Sequence, residues 1–170
     1  MQTFKTVFIS AIFFFSFVAA SYTQDFKLGV VDLQRVVEAS NSGKKIKEEI
    51  TKKGKKMEGD LSAKREEIEN LKKKLEREAQ VMSKDQRDTK EREVDIKIYD
   101  FKVLEKKYKE ELFKFQNEKL DGMKKEIFEV VQELGKRGGY TLVIEKLGVL
   151  YSPDTVDITD ELVKQYNAKY

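Results

Sequence analysis

Apolar residues are sparse through the middle of this chain, and they recur at helical spacing. After Lys44 they run Ile46, Ile50, Met57, Leu61, Ile68, Leu71, Leu75 and Met82, mostly in steps of three and four, with Lys and Glu filling the gaps. That spacing lays a narrow apolar seam along one face of a long helix, as in a coiled coil. Ile46, Met57, Ile68 and Ala79 also stand eleven apart, as do Phe101, Leu112, Met123 and Leu134. An 11-residue period predicts nearly straight packing with little supercoil. The best break lies at Ala79–Ser83, where Ser83-Lys84-Asp85-Gln86 has the S-x-x-Q form of a capping box. Neither half-seam can bury itself alone, so the pattern predicts two arms folded antiparallel over 44–137. The first arm, about 38 residues, would extend roughly 55–60 Å at the helical rise. Gly138-Gly139 is a plausible cap pair at the far end.

The flanks change period. Phe26–Val31 reads as a strand, with Asp32 placed to cap a brief helix carrying Leu33, Val36 and Val37 on one side. Asn41-Ser42-Gly43 reads as a turn. After the hairpin, Tyr140–Glu145 and Val149–Ser152 read as strands joined through Lys146-Leu147-Gly148, a loop that suits a β-hairpin with Gly148 left-handed. Pro153 ends the second strand, and Asp157-Ile158-Thr159 opens a last helix docked by Leu162, Val163 and Tyr166. The expected fold is therefore α+β: a small three-stranded body, assembled from 21–43 and 138–170, from which the hairpin projects. Counted from Asp25 to Gly43 and, with the end of the second arm, from Glu126 to Tyr170, this body has about 60–65 residues and buries only a modest core. Its sheet also leaves two edges that stay adhesive unless covered. Phe26, Leu28, Val30, Val143, Leu150 and Tyr151 are apolar beyond what this core can hide. Pairing those edges between copies around a symmetry axis would cover them, so these six residues are the expected subunit interface.

Residues 1–20 carry a different signature: Lys5, an apolar run from Val7 to Val18, then small residues at Ala19-Ala20. This is the order of a cleaved export signal, and the run falls short of the roughly 20 residues a membrane span needs. Cleavage near Ser21 leaves a net charge of +2, since Lys5 is the only charged residue lost. Charged residues make up 38% of the chain, against about 25% in an ordinary domain, which implies much solvated helix. Near-neutral balance argues against a nucleic-acid partner.

Histidine and cysteine are both absent, which removes triad chemistry and the usual zinc sites. Neither G-x-x-x-x-G-K-[ST] nor G-x-G-x-x-G occurs. Glu66/Glu67 and Glu110/Glu111 read as surface charge beside lysines, so an enzyme is the least supported class and no cofactor is expected. Lysine clusters at 52–53, 55–56 and 72–74 offer an electrostatic landing surface for acidic partners or anionic lipid. Their plainer reading is a solvated face with partners such as Glu48–Lys52 and Glu69–Lys73. Of the aromatic series Tyr99, Phe101, Tyr108, Phe113, Phe115 and Phe128, most read as seam, with Phe113 off it. Gly54, Gly59 and Gly122, each costing about 1 kcal/mol against alanine inside a helix, are candidate flex points.

The run Leu28-Gly-Val-Val-Asp-Leu-Gln-Arg-Val-Val37, followed by Ser42-Gly-Lys-Lys45, resembles the start of the Skp (OmpH) family of periplasmic chaperones. Tyr140-Thr-Leu-Val-Ile-Glu145, Gly148-Val-Leu-Tyr-Ser152 and Asp157-Ile-Thr-Asp160 resemble that family's closing segment in the same order. The resemblance implies a periplasmic homotrimer with a β-barrel body built from three chains and helical tentacles around a cavity. It implies a holdase that works without ATP on unfolded outer-membrane β-barrel proteins. It also implies an anionic lipid or lipopolysaccharide ligand on basic tentacle residues. Lys72, Lys73, Arg77, Arg87, Arg92 and Phe113 are the candidate client contacts. A structural or adaptor hairpin of the cell envelope is the alternative, and its short tip, AQVMSKD, offers little for a defined contact.

Overall fold

The computed structural model describes residues 26–170; the expected export signal lies outside them. Two helices set the outline. α2 (Asn41–Glu78, 38 residues) and α3 (Lys84–Gly138, 55 residues) pack antiparallel along the expected seam. At the helical rise they extend about 57 Å and about 80 Å. Met57 and Ile68 are buried on α2 and Val94 and Met123 on α3, while Ile46, Ile50, Leu61, Leu71, Leu75 and Phe101 are half-buried. The turn falls where the sequence placed it. Ser83 Oγ accepts from Gln86 N at 3.3 Å and Ser83 N donates to Gln86 Oε1 at 3.1 Å, the reciprocal capping box. At the other end Gly139 adopts φ 64°, and its N–H closes the helix onto Gly135 and Lys136 carbonyls. Gly54, Gly59 and Gly122 sit inside unbroken helix.

The body gathers both ends of the hairpin. β1 (Leu28–Val31) leads through Asp32, whose carboxylate accepts from Arg35 N at 2.9 Å, into α1 (Leu33–Ala39). β2 (Leu142–Glu145) pairs parallel to β1 with Leu28 opposite Leu142. α4 (Thr159–Lys169) closes the layer. Its Leu162 and Tyr166 join Val31, Val36, Met123, Ile127, Val130, Leu134 and Ile158 in one core. The Tyr166 hydroxyl donates to Glu126 Oε2 at 2.6 Å. Burial, reinforced by that carboxylate, pushes the Tyr166 phenol well above its ordinary pKa.

Several expectations need correction. The described residues hold two paired strands, not three: Val149–Ser152 is irregular, and Lys146–Gly148 is a single 3₁₀ turn. The chain leaves β2 in that 3₁₀ turn rather than in a hairpin reversal, so Val149–Ser152 is not laid along the free edge of β2. The segment that meets the sheet is instead Asp157–Ile158, at the second edge of β1: Asp157 bridges to Val30, Ile158 N donates to Val30 O at 2.9 Å, and Lys146 reaches Asp157 at 3.2 Å. Gly148 is accordingly not left-handed; Gly139 alone is, among the described residues. Asn41-Ser42-Gly43 is not a turn but the first turn of α2, capped by Ser40 Oγ, which accepts from Gly43 N at 3.1 Å. Gly43 is required by a close approach, since a Cβ there would lie 1.7 Å from Val37 O. The expected pairs Glu48–Lys52 and Glu69–Lys73 are not formed within 4.0 Å. Lysines of the hairpin instead bridge across it: Lys53–Glu111 at 2.7 Å, Lys97–Glu67 at 2.8 Å and Lys119–Glu49 at 2.6 Å.

Candidate functional site

The hairpin is a slender rod, so nearly every side chain off the seam is available to a partner. The cross-arm bonds set its register. Lys53–Glu111 and Lys97–Glu67 are both centred on position 82; Lys119–Glu49 and the Tyr108 hydroxyl to Asp60 Oδ2, at 3.1 Å, are centred on 84. Hydrogen bonds from Lys97 and Lys53 hold the Glu67 and Glu111 carboxyls below the usual range. The Tyr108 phenol is raised, chiefly by its bond to Asp60. Lysines also cover seam aromatics: Lys53 lies 4.8 Å and Lys119 5.3 Å from the Phe115 ring centre.

The two arms differ on their outer faces. α2 exposes no large hydrophobic residue, whereas α3 exposes Ile96, Tyr99, Val103, Phe113 and Phe128. At 3.6 residues per turn, Ile96, Tyr99, Val103 and Phe128 stand opposite the seam. Only Phe113 was expected there. Tyr99 and Phe128 were assigned to the seam and are exposed instead, and Ile96 and Val103 were missed. Their spacing of three and four was the available signal, but it is the same signal as the seam's.

The other candidate contacts, Lys72, Lys73, Arg77, Arg87 and Arg92, are all exposed and strung along the outer third of the hairpin rather than gathered at a point. Arg87 is held by Glu91 at 2.8 Å, and Arg77 and Arg92 donate to carbonyls of their own helices. Among the described residues, Lys72 and Lys73 form no ion pair within 4.0 Å.

In the body, Phe26, Leu150 and Tyr151 are open to solvent, Leu150 completely so at 107%. Leu28 and Val143 are half-buried. Val30 is corrected: it is 0% exposed, enclosed by its own chain, and has no surface to give a partner. Leu147, at 91% exposure, extends the open apolar segment on the other side of Gly148 and was not expected. Among the described residues there is no group of three or more His, Cys, Asp or Glu that could hold a metal ion. No described helix is long and apolar enough to cross a membrane.

A family model described as outer membrane protein (OmpH-like) matches residues 27–166. The chain belongs to the OmpH-like family. OmpH-like architecture is also met in a solved structure, that of a candidate outer membrane chaperone (OmpH-like) from Caulobacter crescentus CB15. It superposes with a TM-score of 0.82 over 85% of this chain and 86% of that one, at 16% identity. At that identity the likeness speaks for the fold. No curated protein sequence matches this chain. The family model and the superposition agree on the fold, long paired helices projecting from a small body.

Proposed function

We propose that the chain is an ATP-independent holdase of the periplasm that grips unfolded outer-membrane β-barrel proteins and keeps them from aggregating. The observation that carries this reading is the exposed apolar step Ile96, Tyr99 and Val103 on the outer face of α3, with Phe113 and Phe128 exposed farther along the arm. Exposed apolar patches of this kind mark interaction surfaces, and membership of the OmpH-like family supports outer-membrane proteins as the clients. Scattered contacts along a long arm suit a binder that must accept varied sequences and release them without fuel, because avidity replaces a deep pocket.

The working form is a homotrimer. Three bodies would combine into a β-barrel, with Val149–Ser152 gaining the strand partner it lacks in one chain, and three hairpins would surround a cavity. Leu150, Tyr151 and Phe26 support this, being open apolar residues beside an unpaired edge of β2. Basic residues of the hairpin, including Lys72 and Lys73, also suit an anionic lipid or lipopolysaccharide headgroup.

The test is light scattering from a urea-diluted β-barrel membrane protein. Suppression that saturates near one trimer per client is expected. Scattering unchanged at every ratio, up to a large excess, overturns the holdase reading. A monomer in sedimentation at micromolar concentration overturns the trimer.

A further inference from the structure

Exposed residues on the outer face of α3 step by three and four through Thr89, Arg92, Ile96, Tyr99, Val103, Lys106, Glu110 and Phe113. Alternating steps of three and four are those of a coiled-coil seam, and this one runs about 36 Å at the helical rise. It lies away from the seam that α2 covers, and α2 exposes no large hydrophobic residue of its own. The stripe is complementary to its own reverse, centred on position 101. Tyr99 mirrors Val103, Ile96 mirrors Lys106, Arg92 mirrors Glu110 and Thr89 mirrors Phe113.

We propose that this stripe pairs antiparallel with the same stripe of a second copy, about a two-fold axis at the level of residue 101. At the centre Tyr99 of each copy packs on Val103 of the other; both are exposed in one chain, at 68% and 49%. Next to them Lys106 lays its methylenes over Ile96 and keeps its ammonium in water. Arg92 then meets Glu110. Its Nε donates to Asp88 O at 3.2 Å, which leaves the rest of the guanidinium free, and Glu110 has only its own Lys106, at 3.9 Å. At the ends Phe113 covers the methyl of Thr89, whose hydroxyl is spent on Asp85 O at 2.7 Å.

Charge selects this orientation. A parallel pair sets Arg92 on Arg92, Lys106 on Lys106 and Glu110 on Glu110, whereas the antiparallel one joins opposite signs, as flanking charges do in setting coiled-coil direction. On one flank Asp95 also approaches Lys102 of the second copy. Neither is in an ion pair within 4.0 Å among the described residues. The like-charged approach is Asp100 with itself near the axis, where Lys107 stands on the same side. Arms of one trimer run parallel, so the second copy belongs to another assembly. The same apolar step carries the holdase reading, which makes a client and a second copy alternatives on it. Pairing is measured without client and stands or falls apart from that reading.

The experiment is sedimentation equilibrium of the mature full-length protein at low salt, from micromolar to millimolar concentration. Wild type associates reversibly beyond its basic assembly. Arg92→Glu and Glu110→Arg each weaken this association about tenfold, because each turns two attractions into repulsions. The double variant restores it to within about twofold of wild type. The two single variants, purified apart and then mixed, associate with one another. Both positions are exposed, so the variants fold, and circular dichroism verifies it. A wild type that does not associate further, or a double variant as weak as the singles, overturns the proposal. A wild type that stays unassociated while Tyr99→Ser impairs client binding overturns it too, and leaves the stripe to clients alone.

Discussion

Replacing Tyr166 with Phe tests how α4 is fastened to the hairpin. The ring is fully buried and its hydroxyl donates to Glu126 Oε2 at 2.6 Å. The substitution keeps the ring and removes only the bond. A hydrogen bond to a charged group contributes about 1.5–3 kcal/mol. Glu126 is half-buried and regains some water when abandoned, which points to the low end, about 1.5 kcal/mol. For a chain of this size that lowers Tm by roughly 3–6 °C. Urea unfolding followed by circular dichroism should show the midpoint falling at constant slope. The pH dependence has a definite sign. The folded-state phenol pKa is raised, so its contribution is complete below the unfolded value, about 10, and fades above it. The gap between wild type and Tyr166→Phe should therefore narrow as pH rises past about 10. Glu126→Gln and the double variant complete a cycle. A loss below about 0.5 kcal/mol, or strictly additive single effects, would refute the assignment of this bond as the fastening of α4.

Three further outcomes are expected. Gly43→Ala drives a methyl into Val37 O and should cost more than about 3 kcal/mol by urea titration, while Gly122→Ala, which meets nothing within 4 Å, should gain about 0.5–1 kcal/mol. Glu67 and Glu111 have depressed pKa values; their stabilisation is present above the unfolded value and lost as pH falls below about 4.5. Helical ellipticity of the hairpin should then fall in acid at low salt, and identical curves at low and high salt would contradict this. Leu150→Asp should dissociate the assembly and leave a folded chain in sedimentation, whereas Val30→Asp, placed at 0% exposure, should unfold the body itself.

What could be read from the sequence was what neighbouring residues decide among themselves. The tip was legible because a capping box spans four residues, and the long helices because their seam residues recur at helical spacing. Gly139 was legible as a cap because helix ends favour the left-handed glycine it supplies. The third strand was not, since a strand exists only where its chain is laid along a partner edge, and here the 3₁₀ turn at Lys146–Gly148 replaces the reversal that would have laid Val149–Ser152 along β2. Asn41-Ser42-Gly43 has turn composition, yet Ser40 caps a helix through it and Gly43 is chosen by the nearness of α1. The back of α3 was obscured by its own seam: Ile96, Tyr99 and Val103 share the spacing of the buried set, and a one-dimensional pattern does not tell two faces of one helix apart.

The parallel pairing of β1 with β2 joins Leu28 to Leu142 across the whole length of the hairpin. A contact so distant is ordinarily slow to form, because the closing loop must be gathered first. Here the intervening chain gathers itself: α2 and α3 zip from the tip through contacts between near neighbours and deliver Asn41 and Gly138 to the same end of the rod. Once zipped, the loop left to close is only the few residues outside the helices. The arm thus carries the two halves of the body to one another, and assembly from the tip inward is the order that leaves the smallest loops to close.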